Sequence, residues 1–472
     1  MPRRVRRSPA SPIASAIVLS ALLVLAACDE APADGSNAGT TDGTTAGTTA
    51  GATSTGTTDG GGSTTDGTPP SCEVEGGEPI PEGTTVAATA TVLLDGEDGG
   101  PRVEFLAYPR PSYEGRPWSQ WGQGLVLPDG RFLSAIGDHL GRDGNSYLYE
   151  YDPETGELRS ITDVQSLTEH EPGAWGYGKV HAQIVPGPCG EVYVGTYWGD
   201  STGIEFASTY EGDRLFRIDP AADTAADLGA PIPEHGLPSL AGWPEGGLLY
   251  GEAPDPRTEP WVGPFFAYDM AAEEVVFVDD DPRHLGFRNI AVDAEGRAYY
   301  SMGDGVLRVF DPATGEAQDL DARIPGSWMR ASTRPAEDGT IYGVTMEPAV
   351  FFAIEPAADP TQAEIREIGP GRGYTASIAL DPDGERILYV PGAHGDSWEQ
   401  GAPLIAVDPE TGEEEVLVEL NAAAEALGFR LGGSYDLAVD AARRIVYVGM
   451  NAGAAGSPEP YGEIVLLVVH LP

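Results

Sequence analysis

The feature that most constrains this chain is a unit recurring seven times between Gln120 and Leu471. Each copy reads as an apolar strand, a tight polar turn, a second strand rich in Tyr, a loop of variable length, a third strand ending in an acidic residue, and a fourth strand. Residues 377–420 show it whole: Ile378-Ala379-Leu380, the turn Asp381-Pro382-Asp383-Gly384, Ile387 to Val390, Pro403 to Val407, the turn Asp408 to Gly412, and Glu415 to Val418. The first turn recurs at Asp129-Gly130, Cys189-Gly190, Gly246-Gly247, Glu295-Gly296, Asp338-Gly339, Asp383-Gly384 and Ala442-Arg443. Each places Gly or a small polar residue between β-branched and aromatic runs, where a hairpin needs unusual backbone angles. The second turn recurs six times, at Asp152, Asp219, Asp269, Asp311, Glu355 and Asp408, because Pro472 directly follows the third strand of the last copy.

Internal repeats of this kind close radially, which leaves only short protected sheet edges. The expected fold is all-β: a seven-bladed β-propeller over residues 72–472, its last blade closed by an N-terminal strand. Two runs compete for that closing role, Thr85 to Leu94 and Val103 to Ala107. A pair of β-sandwiches is the competing architecture, and it leaves the seven first turns and six matched second turns unexplained.

The N-terminus reads differently. Arg3, Arg4, Arg6 and Arg7 precede the apolar run Ile13 to Ala27, as in a secretory signal. Leu25-Ala26-Ala27-Cys28 resembles the lipobox of bacterial lipoproteins. The resemblance implies export, removal of residues 1–27, lipidation of Cys28 and attachment to the cell-envelope membrane, on its periplasmic face or at the cell surface. Residues 28–71 are nearly all Gly, Thr, Ala, Ser and Asp, too poor in apolar surface to offset their ordering entropy. As a flexible tether they reach roughly 35–40 Å. With Cys28 lipidated, Cys72 and Cys189 are left as a disulfide pair or as two thiols.

The formal net charge is −47, which makes nucleic acid and anionic headgroups poor partners. Lys179 is the only lysine among 27 basic residues. In a propeller the start of each first strand and the end of each second strand share one rim. His181 starts a first strand, His139 and His394 end second strands, and His170, His235 and His284 lie in loops leading into first strands; only His470 falls elsewhere. Lys179, His181 and Gln183 alternate with Val180, Ala182 and Ile184, so three polar side chains share one strand face, with Thr196-Tyr197-Trp198 returning beside them. Asp138, Arg288, Asn289, Trp328, Arg330, Asp396, Tyr435, Asp436 and Asn451 complete the expected rim. Aromatic rings among hydrogen-bonding groups suit sugars or other polar ligands, including a protein partner. No metal motif, nucleophile elbow or phosphate loop occurs, so no cofactor is expected. A cation held among rim histidines and aspartates needs no linear signature, and Asp279 to Asp281 read as a solvated loop.

As a whole the repeat resembles bacterial propellers of the NHL and YVTN type, which speaks to fold. Gly178 to His181, Gly190 to Thr196 and Tyr389 to Gly395 are similar to segments of seven-bladed polysaccharide lyases of the ulvan-degrading kind. That likeness implies β-elimination at uronate-containing glycans without a cofactor, with His181 handling the proton, Arg330 or Arg288 neutralising the carboxylate, and Tyr197 standing where the lyases carry a second histidine. Blade three, reading Tyr250-Gly251-Glu252-Ala253-Pro254, offers no counterpart of their catalytic tyrosine. Two functions therefore stay open: an envelope receptor that binds a glycan or protein without turnover, and a carbon–oxygen lyase.

Overall fold

Six glycines and one arginine set the first hairpin of the seven blades. Gly130, Gly190, Gly247, Gly296, Gly339 and Gly384 take φ between +67° and +97°, the region L-residues avoid. In the seventh hairpin the left-handed residue is Arg444, at φ +56°, one position beyond the turn expected from sequence. Its guanidinium offsets the strain by binding Asp383 at 2.7 Å and the Pro472 carbonyl at 2.9 Å. The opposite hairpins are closed by aspartates: Asp152, Asp219, Asp269, Asp311 and Asp408 each accept the N–H two residues on, at 2.8–2.9 Å.

The computed structural model describes residues 77–80, 87–96, 99–111, 113, 116–198, 209–258, 262–284, 290–303 and 305–472. The signal segment, Cys28, the tether and Cys72 lie outside them, as do Arg288 and Asn289. The described strands form seven antiparallel sheets, four of them in plain sequence order and three with strands of the N-terminal arm added at the outer edge, and the fold is a seven-bladed β-propeller. The innermost strands, from blade one to blade seven, are Leu125–Val126, Val185–Pro186, Ser239–Trp243, Ile290–Val292, Met329–Ser332, Ile378–Leu380 and Phe429–Asp440.

Of the two candidates for ring closure, the second takes the role. Arg102–Ala107 pairs with Glu463–His470 over six residues, from His470↔Arg102 to Val465↔Ala107. The earlier run divides: Thr91–Asp95 adds a fifth strand outside the closing one, and Ala87–Thr89 joins the outer strand of blade one. Further upstream, Glu78–Pro79 pairs with the outer strand of blade two. The N-terminal arm thus laps blades seven, one and two.

Contacts between blades recur in kind. Tyr250 donates to the Gly296 carbonyl of the next blade at 2.6 Å, and Tyr447 does the same across the closure to Gly130 at 3.2 Å. Phe132 stacks on Tyr447 with centroids 4.6 Å apart, and Phe265 on Tyr300 at 4.1 Å. These tyrosines bury their rings in the seams and still satisfy their hydroxyls.

Candidate functional site

The rim that carries strand starts and second-strand ends is built by the same local device in blades one and two. Ser119 bridges Gly137, and Lys179 bridges Tyr197, just before the inner strand and just after the second. This brings the Lys179 carbonyl to the Tyr197 N–H at 2.8 Å and places both side chains in one space. Gly122 keeps the two inner strands close, since a Cβ there would sit 2.5 Å from the Ala182 carbonyl.

Lys179 is 2% exposed, with its Nζ 4.7 Å from the Trp121 ring and 5.3 Å from the Tyr197 ring. His181, 1% exposed, lies against Tyr197 at 5.2 Å and hydrogen-bonds the Pro238 carbonyl through Nδ1 at 3.0 Å. A carbonyl only accepts, so in the neutral ring the proton sits on Nδ1 and Nε2 is the basic nitrogen. Trp198 packs on Tyr197 at 4.0 Å.

From Trp121 the cluster continues across the ring closure. Trp121 meets Tyr435 at 4.7 Å, Tyr435 meets His394 at 6.0 Å, and His394 stacks on Tyr374 at 3.9 Å. Arg330, buried in the inner strand of blade five, donates to the Tyr374 hydroxyl and lies 5.7 Å from the Tyr435 ring. His139 closes the other side against Trp118 at 5.7 Å and Trp121 at 5.6 Å. Lys179, His181, Tyr197, Trp198, Arg330, His394, Tyr435 and His139, expected from sequence, thus belong to one contiguous cluster. Trp118, Trp121, Tyr374 and Tyr461 belong to it as well and were not among the sequence candidates.

The electrostatics follow from burying two cations beside imidazoles. Burial first, then Lys179, pushes the His139 pKa well below the ordinary histidine value. Burial, then Arg330 and Lys179, lowers that of His394 to about 4. Both rings are neutral at pH 7. His139 also holds a left-handed backbone, φ +65°, and its Nε2 is buried without a hydrogen-bond partner among the described residues. Such strain at a solvent-excluded polar atom fits a binding group. Asp138 fixes this loop by accepting from Leu140 N–H, Asn145 N–H and the Tyr113 hydroxyl, each at 2.9 Å. Burial raises its pKa to about 7 against those bonds.

The unfolded chain protonates His394 near its ordinary value of about 6.5. The folded state resists the proton down to about 4. His394 should therefore support stability fully above about pH 6.5 and lose that contribution as pH falls towards 4. An NMR titration following the His394 ring should show a midpoint near 4; a midpoint near 6.5 would mean that neither burial nor the two cations act on it.

Other expected residues serve the fold or stand apart. Asp436 is fully buried and accepts from the Gln120 side chain and from Gly124 N–H at 2.7 Å, clasping blade seven to blade one. Asn451 exchanges two bonds with the Gln120 backbone, at 2.8 and 2.9 Å. Both are closure residues, because the inner strands of the first and last blades need side chains to bind them. Gln183 faces a central cavity of about 560 Å³ lined also by Gln123, Leu240, Ile290 and Ser332. His235 bonds Pro233 within its own loop at 2.7 Å. Trp328 is half-buried and makes no ring contact among the described residues. His284 is sealed between blades three and four by Glu252 at 3.0 Å and the Gly263 carbonyl at 2.8 Å, and His170 pairs with Asp143 at 3.0 Å. Cys189 is half-buried, its N–H bonded to Glu191 at 2.9 Å, while its expected partner Cys72 lies outside the described residues. Among the described residues no group of three or more His, Cys, Asp or Glu is placed to hold a metal ion.

No family model matches the chain. Over 133 residues it is 30% identical to the probable arabinan endo-1,5-alpha-L-arabinosidase C of Aspergillus flavus, and equally to that of Aspergillus oryzae. The match covers 26% of this chain and 40% of each relative, so the chain spans well under two thirds of their length. Among solved structures, the RRP9 WD40 repeats superpose with a TM-score of 0.49 at 10% identity, covering 77% of this chain and 97% of that one.

Proposed function

We propose that the rim cluster binds a glycan, with preference for one bearing carboxylates, and that the protein is an exported lipoprotein presenting this propeller from an anchor at Cys28. The observation that carries the reading is the union of two buried cations, Lys179 and Arg330, with a continuous set of aromatic rings, inside a chain of net charge −47. Rings stack on the C–H faces of sugars, and cations in a low-dielectric setting select an anionic substituent. The partial likeness to fungal proteins named for arabinan supports a carbohydrate ligand.

Turnover is the second reading, favoured by the basic Nε2 of His181 beside Tyr197. On that reading His181 takes the proton from the carbon beside the uronate carboxylate, Arg330 neutralises that carboxylate, and the carbon–oxygen bond to the next sugar breaks with its electron pair going to the leaving oxygen, which takes a proton from the Tyr197 hydroxyl. Mixing the domain with a panel of acidic and neutral polysaccharides tests both. Binding without the ultraviolet absorbance of unsaturated uronates supports the receptor. Absorbance that grows with time and vanishes in His181→Ala establishes the lyase. If no polysaccharide binds, the glycan reading falls.

A further inference from the structure

Trp121 and Tyr435 are 6% and 1% exposed, so they form the floor of the cluster and present little ring face to a ligand. Four other rings are half-buried: Tyr374, His394, Tyr461 and Trp118. They follow one another around the rim. Tyr374 and His394 are stacked at 3.9 Å, and Tyr461 and Trp118 meet edge to face at 6.1 Å. The two pairs adjoin at Gly395, where a Cβ would lie 2.8 Å from Pro460 and 3.1 Å from the Tyr461 hydroxyl. Gly395 has φ +99° as well, so glycine is required there on two counts. The result is a crescent of partly solvent-facing rings spanning blades six, seven and one.

From this geometry we infer that the site takes a chain of sugars. The inference rests on the glycan reading and specifies its ligand: an oligosaccharide segment laid along the crescent, one unit over Tyr374 and His394 and a later unit over Tyr461 and Trp118. A single sugar covers only one pair of rings. The second pair adds affinity only when a covalently linked unit reaches it, because that second contact is then intramolecular. Each end ring is held by a partner that the ligand does not displace. Arg330 fixes the Tyr374 hydroxyl, and the Asp138 carbonyl accepts from Trp118 Nε1 at 2.9 Å. The platform is therefore formed before binding.

The test is calorimetry of the soluble domain with uronate oligomers and neutral glucan oligomers of one, two and four units. For at least one series, affinity should rise by about tenfold or more between one unit and four, since one added stacking contact is worth about that factor. Trp118→Ala should remove most of that gain, weakening the four-unit ligand several-fold more than the single unit. Tyr374→Leu should weaken every length. Equal affinity for one and four units, or a Trp118→Ala loss identical at every length, overturns the extended platform while glycan binding stands. Failure of every oligomer and of the parent polysaccharides overturns the glycan reading and the platform with it.

Discussion

A chain that begins at Tyr108 should not hold a closed ring, whereas one that begins at Gly99 should unfold much as the longer protein does. The difference is the strand Arg102–Ala107, which is the fourth of five in its blade, paired on both edges, and serves two seams at once. Val103 and Phe105 are 0% and 5% exposed and belong to the core shared with blade six; Leu106, 1% exposed, belongs to the core shared with blade one. Removing the strand uncovers Val465, Leu467 and Val469 together with a row of unpaired backbone groups, a ready template for aggregation. A milder version is Phe105→Ala. It empties a packed site where the ring meets Phe429 at 5.0 Å and should cost about 3–5 kcal/mol in urea unfolding. By contrast, Ala87–Thr89 and Thr91–Asp95 are mostly exposed or half-buried, so trimming to Gly99 removes outer pairing and little core. Equal unfolding midpoints for chains starting at Gly99 and at Tyr108 would refute this account of closure.

The same contrast explains what the sequence made legible. Seven hairpins could be counted because each needs a left-handed residue at a fixed place, and glycine at six of them marks it. Which N-terminal run closes the ring was ambiguous, since both are apolar enough for a strand; only the sheet distinguishes an interior strand from its outer neighbour. Glu78–Pro79 has no strand pattern at all and is held by its partner Thr224–Asp227. At the site, rare titratable residues mark Lys179, His181 and Arg330, which the Tyr197, Trp121 and Tyr435 rings join into one cluster. The rings beside them carry no such mark, because Trp and Tyr also fill ordinary cores. One signal was available: aligning the first turns of blades one and two puts Trp121 opposite His181, just as Ser119 stands opposite Lys179. The roles of Asp436 and His284 were not readable, because each depends on a distant residue, Gln120 and Glu252, arriving at hydrogen-bonding distance.

Replacing Lys179 by Met should uncouple binding from folding, and the histidines should report it. The ammonium lies among rings and is excluded from water, where a charge is costly and a methionine of similar length fits well. The folded state should therefore survive the exchange. Affinity for a carboxylate-bearing glycan should fall by about ten- to a hundredfold, the worth of a charge-assisted bond, and that for a neutral glycan should change far less. Without ligand, loss of the nearby positive charge should raise the pKa values of both His139 and His394, because Lys179 depresses both. Arg330→Met should raise that of His394 and leave His139 unmoved, because the guanidinium acts on His394 alone of the two. The stability curve of each variant should accordingly hold to lower pH than that of the parent, since the unfolded chain then has a smaller advantage in taking up protons between about pH 4 and 6.5. Ring titrations by NMR across the two variants read these shifts directly. If Lys179→Met leaves both histidines where they were, the ammonium does not shape the field of this pocket, and its selection of an anionic sugar loses its physical basis.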